Sequence, residues 1–126
     1  MIENLAEQYL RICNVMLVVL DEKSNIMFLN KAAEEILSCR FEDVKLSNWI
    51  ENFIPEEQKK ELKDVARRVV SNKDYPEYFE NYVIDKNGHK HLIAWRNASL
   101  KDKNGNVIGT ISAGEDITEK RENEKK

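Results

Sequence analysis

The stretch YVIDKNGHKHLIAWRNASLKDKNGNVIGTISAGEDIT, residues 82–118, decides how this chain folds. It carries the tetrapeptide Asp-Lys-Asn-Gly twice, at 85–88 and at 102–105. Asn-Gly supplies the positive φ values of a tight hairpin turn, and each copy lies between runs with strand character. Residues 77–84, 90–100 and 107–117 are therefore predicted to be antiparallel strands of two hairpins that share the middle strand. The repeat is turn chemistry and not a duplicated domain. Alternation along the middle strand puts Ile93, Trp95, Asn97 and Ser99 on one face and Leu92, Ala94, Arg96, Ala98 and Leu100 on the other. Periodicity leaves open which face is inside.

Working back toward the N-terminus, the helical period replaces the alternating one. Leu62, Val65, Ala66, Val69 and Val70 form one stripe of a long helix, started by Ile54-Pro55-Glu56-Glu57 and ended by SNKDYP. SCRFEDVKLSNWIENFI, residues 38–54, has small apolar clusters that fit one or two short helical turns. Before it, Asn30 is placed to N-cap the helix KAAEEIL. VMLVVLD and IMFLN, separated by the polar EKSN, read as a further hairpin. Residues 2–13 put Ile2, Leu5, Ala6, Tyr9, Ile12 and Cys13 at helical spacing, an amphipathic helix with an apolar stripe to cover. The order predicts an α+β fold: a five-stranded antiparallel sheet with helices packed on one face, plus the N-terminal amphipathic helix. Its parts are the helix of residues 1–13, the domain proper at 14–118, and a charged tail at 119–126 without an apolar residue.

Composition narrows the function. A chain of 126 residues holds one core. Its 20 basic and 23 acidic residues are interspersed and sum to a net charge of −3, which offers no field for nucleic acid or an anionic membrane. No run of 18 apolar residues and no signal peptide is present, and the two cysteines, Cys13 and Cys39, lack metal or disulfide spacing. The expectation is a cytoplasmic domain without direct membrane contact. No phosphate loop, zinc-protease motif or nucleophile elbow occurs, so no catalytic residue is proposed and the chain is not expected to be an enzyme. Glu34-Glu35 and Glu56-Glu57 are adjacent on helices, point to different sides and read as solvated or dipole-compensating charges. Asn97-Ala98-Ser99 matches a glycosylation sequon but lies inside a strand of a chain with no secretion signal.

With VVLDEKSNIMFLNKAAEEIL, the double-hairpin stretch and the closing Asp116-Ile117-Thr118 in this order, the sequence resembles a PAS domain, the sensory-box module of bacterial and archaeal signalling proteins. The resemblance runs from about residue 5 to residue 120. It implies a small interior cavity between sheet and helices, and an output route from Asp116-Ile117-Thr118 into a helix that leads to an effector, such as a sensor histidine kinase or a diguanylate cyclase. The tail then reads as the start of a linker helix in a sensor cut from a longer chain. Asp116 or Thr118 can cap that helix, with Glu119 three residues after Asp116 as in a capping box.

The resemblance also frames the cofactor question. In flavin-binding members the reactive cysteine follows an asparagine in the short helix after this corner. Here Cys39 lies at the corner itself, and the matching pair is Asn48-Trp49. Turn-anchored alignment places the amides that grip a flavin on Val83, Ile93 and Gly114, which make no such bonds. An axial histidine for haem would sit on the long helix, and residues 48–76 contain none. No cofactor and no metal is therefore expected. His89 and His91 share a strand face at i, i+2, a spacing open to a surface metal, but they read as a solvated hairpin end.

The family alignment turns the Ile93 face inward. The candidate cavity is Val83, Ile93, Trp95, Asn97, Thr110 and Ser112, suited to an unknown small polar ligand against an aromatic wall, or else filled by Trp95. Ile2, Leu5, Tyr9 and Ile12 are the candidate homodimer contact, the alternative being that they cover their own sheet. The expected function is a sensory module passing ligand or dimerisation state to an attached effector. A haem or flavin redox or light sensor and a free-standing small-molecule-binding protein are the rival readings.

Overall fold

The computed structural model describes residues 2–125; the side chains of residues 2–4, Ile2 among them, lie outside the described residues. Helix α1 (Ile2–Ile12) leads into strands β1 (Val15–Asp21) and β2 (Ile26–Leu29), then α2 (Lys31–Leu37), α3 (Phe41–Val44) and α4 (Trp49–Phe53). A 3-10 turn at Glu56–Gln58 opens α5 (Lys59–Val70), and β3 (Tyr78–Ile84), β4 (Lys90–Lys101) and β5 (Val107–Asp116) precede α6 (Thr118–Glu124). The five strands form one antiparallel sheet in the order β2-β1-β5-β4-β3. The first and last strands are neighbours: Val15 pairs with Glu115 and Asp21 with Gly109.

The two hairpins form, but not with the expected turn. In the first, Asp85 N donates to the His89 carbonyl (2.9 Å) and Gly88 N to the Asp85 carbonyl (3.0 Å). Gly88 (φ 87°) has positive φ and Asn87 does not. This is a three-residue loop, a turn followed by one left-handed glycine, in place of a two-residue Asn-Gly turn. The aspartate fixes it, because Asp85 Oδ1 accepts from the amides of Asn87 (2.8 Å) and His89 (2.9 Å). Asp102 repeats the arrangement on Asn104 and Asn106, with Gly105 at φ 85°. The first Asp and the last Gly of each tetrapeptide therefore carry the turn.

One sheet face is the core. Met16 and Val18 of β1, Val83 of β3, and Ile93 and Trp95 of β4 are buried with Leu37, Ile50 and Phe53 of the helices. Gly114 of β5 faces Trp95 across the ladder, and a Cβ there would lie 2.6 Å from the indole. The missing side chain lets the ring rest on the strand. A Cβ on Gly109 would strike the carbonyl of Leu20, so this crossing of β5 and β1 also needs glycine. The helix start expected at Ile54–Glu57 is realised as a buried Pro55, the 3-10 turn and then α5.

Asn30 is the N-cap of α2 as expected, its Oδ1 accepting from Ala33 N (3.0 Å). The same oxygen accepts from Leu17 N (2.9 Å), and Nδ2 donates to the Val15 carbonyl (3.0 Å), so the buried amide also ties α2 to β1. Glu34 is not simply solvated either, since its carboxylate accepts from Phe41 N (2.7 Å) and holds the corner between α2 and α3. Helix α1 leaves its stripe uncovered: Leu5, Tyr9 and Ile12 are 68%, 67% and 83% exposed, so they do not cover their own sheet.

Asn30→Ala removes a cap and strands two buried backbone groups. It is expected to lower stability by about 2–4 kcal/mol, above the ~1 kcal/mol of an ordinary N-cap. Urea unfolding with an unchanged m-value checks this, and a loss within the ordinary cap range would show that the β1 bonds add nothing.

Candidate functional site

Strand parity brings Phe79 and Asn81 of β3, Trp95 and Asn97 of β4, and Thr110 and Ser112 of β5 to the inner face beside Val18 and Leu20 of β1. Helix α5 lies over them with Leu62, Val65 and Val69, and α4 closes the end with Trp49. Between them is a cavity of about 60 Å³. That is less than half of the roughly 150 Å³ of a cavity that holds benzene. Trp95 thus takes up much of the interior without sealing it. The ring centroids of Trp49 and Trp95 are 5.9 Å apart and their planes meet at 85°, a favourable edge-to-face pair.

Four of the six residues singled out from the sequence, Trp95, Asn97, Thr110 and Ser112, line this space. Val83 and Ile93 share the face but lie in the packed core beyond the cavity wall. Ser112 Oγ donates to Asn97 Oδ1 (2.7 Å), so two of the polar groups satisfy each other. Ser99, on the same face, donates to the Val69 carbonyl (2.5 Å) and fastens the end of α5 to β4.

Sequence reasoning missed Asn81, which is 3% exposed. Its Nδ2 donates to the Tyr82 carbonyl (2.8 Å), while its Oδ1 has no partner among the described residues. The parity that selects Val83 on β3 selects Asn81 equally, two residues earlier, so the signal was present. Trp49 was read only as the residue at the nucleophile position.

The site does not fit a flavin. A space of about 60 Å³ walled by two indoles has no room for a three-ring isoalloxazine. Cys39 is not on the cavity wall; it packs half-buried against the core, where burial pushes its thiol pKa up and keeps it protonated.

The turn from β5 into α6 is built around a histidine. His91 is not part of a solvated hairpin end: its Nε2 lies 2.9 Å from Asp85 Oδ2 and its Nδ1 2.8 Å from Asp116 Oδ2. Its neighbour His89 stays exposed, 3.7 Å from the same Asp85 carboxylate. Asp116 Oδ1 accepts from Thr118 N (3.0 Å) and Thr118 Oγ1 (2.6 Å), and that hydroxyl accepts from Leu92 N (2.7 Å). The expected capping box does not form: the residue preceding α6 is Ile117, without a side-chain cap, and Asp116 turns the chain by taking the amide of Thr118. Asp85 thus closes the β3–β4 loop with one oxygen and reaches the start of α6 through His91 with the other. Arg121 of α6 adds an ion pair to Glu80 of β3 (3.1 Å). Among the described residues, no cluster of three or more His, Cys, Asp or Glu is placed to hold a metal, and no helix is long and apolar enough to cross a membrane.

Burial opposes the charge on His91, but its bonds to Asp85 and Asp116 outweigh burial and hold its pKa above the ordinary value. Burial likewise opposes both carboxylates. The donors outweigh it, His91 and the loop amides at Asp85, and Thr118 and His91 at Asp116, so both pKa values fall below the ordinary range.

A sheet of this order with a small cavity under the helices and an aspartate–threonine pair at the exit of the last strand defines a fold class. The chain belongs to the PAS fold family, whose sequence model matches residues 12–122. A PAS domain from Colwellia psychrerythraea is similar at 17% identity and a TM-score of 0.77, over 94% of this chain and 99% of that one. The PAS domain of the Cronobacter turicensis quorum-sensing receptor RpfR, solved with BDSF, is 23% identical at a TM-score of 0.71, over 83% of this chain and 95% of that one. A sensory box histidine kinase/response regulator from Burkholderia thailandensis matches at 16% identity and a TM-score of 0.67, over 94% and 88%. No curated protein matches the sequence.

The His91 pair gives stability a defined pH profile. The histidine contribution is complete below its unfolded pKa of about 6.5 and is lost as pH rises through the higher folded value; the carboxylate contribution is complete above about 4 and is lost as pH falls through their depressed values. His91→Gln is expected to cost about 1.5–3 kcal/mol near pH 5.5 and progressively less above pH 6.5. Denaturant unfolding of both proteins from pH 3 to 9 measures it, and a difference independent of pH would rule out the charged pair.

Proposed function

We propose that this PAS domain is the regulatory input of a signalling protein whose output unit is a sensor histidine kinase or a diguanylate cyclase. Occupancy of the cavity, or the dimer state, shifts the population of two packings of β5 and α6, and the following segment reads that shift. The observation that carries this is the course of β5. One strand supplies Thr110 and Ser112 to the cavity wall, Gly114 to the seat of Trp95 and Asp116 to the turn into α6. A displaced indole therefore pushes on the strand that holds the output turn.

The neighbouring structures support the reading. The RpfR PAS domain was solved with BDSF and with C12:0, and the Burkholderia neighbour is a sensory box histidine kinase/response regulator. The proposed homodimer contact is the stripe of α1 with Leu5, Tyr9 and Ile12, three large apolar side chains left in water.

Asp116→Ala is expected to loosen α6 while leaving the sheet intact. Loss of bonds to a charged acceptor, about 1.5–3 kcal/mol, corresponds to roughly ten- to hundredfold faster amide exchange at 118–124. Equal acceleration in β1, or none in α6, would remove Asp116 from the output route. Multi-angle light scattering tests the dimer: the wild type is expected at twice the chain mass and Leu5→Asp at the chain mass. A wild-type monomer at high concentration would end the dimer proposal.

A further inference from the structure

Resting on the reading of Asp116 and α6 as the output route, we propose that His91 makes that route sensitive to pH: the imidazolium bridges Asp85 and Asp116, and the neutral ring keeps Asp85 and lets go of Asp116. A count of protons carries this. The ring nitrogens Nε2 and Nδ1 lie 2.9 Å from Oδ2 of Asp85 and 2.8 Å from Oδ2 of Asp116. An ionised carboxylate only accepts, so both nitrogens must donate, and only the imidazolium has two N–H groups. Turning the ring over would set two C–H groups against the carboxylates, so the two bonds also fix where the nitrogens lie. When one proton is lost, one nitrogen points a lone pair at a carboxylate oxygen, and that contact repels.

Burial decides which bond is given up. The Asp85 side chain is 5% exposed and that of Asp116 19%. Water can replace the ring at Asp116 and hardly at Asp85, so the remaining proton stays on Nε2 and the Nδ1 proton leaves to solvent. Among the described residues the charged groups facing the ring are these two carboxylates. The exposed His89 stands beyond the Asp85 carboxylate at 3.7 Å, Lys90 points to the opposite face of β4 and pairs with Glu57, and α6 presents the hydroxyl of Thr118, which is donated to Asp116. Asp85 remains pinned by the amides of Asn87 and His89. Asp116 instead holds the amide and hydroxyl of Thr118 with its other oxygen, so a carboxylate that turns away from the lone pair disturbs the first residue of α6. Burial opposes the charge on both carboxylates, but their donors outweigh it and keep both ionised near neutral pH, which leaves His91 as the group that titrates. Burial lowers the His91 pKa, and the two carboxylates outweigh burial and hold it above the ordinary value. Helix α6 is therefore held below a pH of about 6.5 and released as pH rises through the folded value.

Amide exchange and the NMR signals of the ring nitrogens are followed on the whole chain from pH 5.5 to 8.5, with each exchange rate divided by its intrinsic base-catalysed rate. Protection at 118–124 is expected to fall about tenfold as pH rises, the size of one lost bond to a charged group. The fall shares its midpoint with the ring titration, residues 85–89 and β1 keep their protection, and the neutral ring carries its proton on Nε2. His91→Gln is expected to show a loosened α6 at every pH, and His89→Gln the wild-type profile. Asp116→Asn reverses the sign, because its Nδ2 donates to the lone pair of the neutral ring and opposes the imidazolium, so α6 is held at high pH and loosened at low pH. Protection at 118–124 that ignores pH in the wild type, or that responds equally in His91→Gln, would overturn the proposal. A neutral ring protonated on Nδ1, with loosening at 85–89, would overturn the assignment to Asp116. Asp116→Ala, measured alongside, keeps this apart from the output reading: a loosened α6 in that variant with a pH-insensitive wild type leaves the route standing and removes the proton input, whereas an unchanged α6 removes the route itself. If Asp116→Asn does not fold, the wild type and His91→Gln decide.

Discussion

The indole of Trp95 lies on the bare backbone of Gly114, and the rest of the interior is arranged around that contact. A tryptophan on a central strand would ordinarily stand off the sheet and fill the space beneath the helices. With no Cβ opposite, the ring lies low, and α4 brings Trp49 against it at a steep angle without α5 collapsing onto the sheet. The volume left over is the cavity. Its polar lining follows from strand parity, because the positions sharing a face with Trp95 on three strands are occupied by Asn81, Asn97, Thr110 and Ser112.

The strands were legible because their signals are local. Alternation over seven to twelve residues, a repeated loop that begins in aspartate and ends in glycine, and an asparagine before a helical run each act within a few residues of chain. Even so, the loop type was misread: Asn-Gly drew attention to itself, while Asp85 and Asp102, whose carboxylates hold two amides each, set the geometry. Four cavity residues were found by combining alternation with the choice of inner face that the family supplied. Asn81 was passed over for Val83, although both obey the same parity.

What stayed hidden depends on contacts far apart in sequence. His91 beside a turn looks solvated until the β4–β5 register brings Asp116, 25 residues away, within 2.8 Å. Trp49 and Trp95 are separated by α5, β3 and the first half of β4, and nothing in either segment announces their meeting. The fate of the α1 stripe is likewise not written in residues 2–13: a helix knows its apolar side but not what will cover it. These are the terms in which a sequence read piece by piece falls short, since each is fixed by the closure of the sheet.

That closure also fixes an order of events. β1 pairs with β5 along its whole length, Val15 with Glu115 through Asp21 with Gly109, so the centre of the sheet joins two segments separated by most of the chain. On a ribosome β1 emerges early and can pair only with β2, a short strand that leaves its other edge open. The helices then appear with nothing beneath them to bury their apolar sides. Only when β5 has left the exit tunnel can the middle of the sheet assemble, and the loop-closure entropy of nearly the whole domain is met in that one step. The nascent chain is thus exposed to aggregation until its last strand is made, and the strand that completes the fold is the one that carries Gly114 beneath Trp95 and Asp116 into the turn before α6.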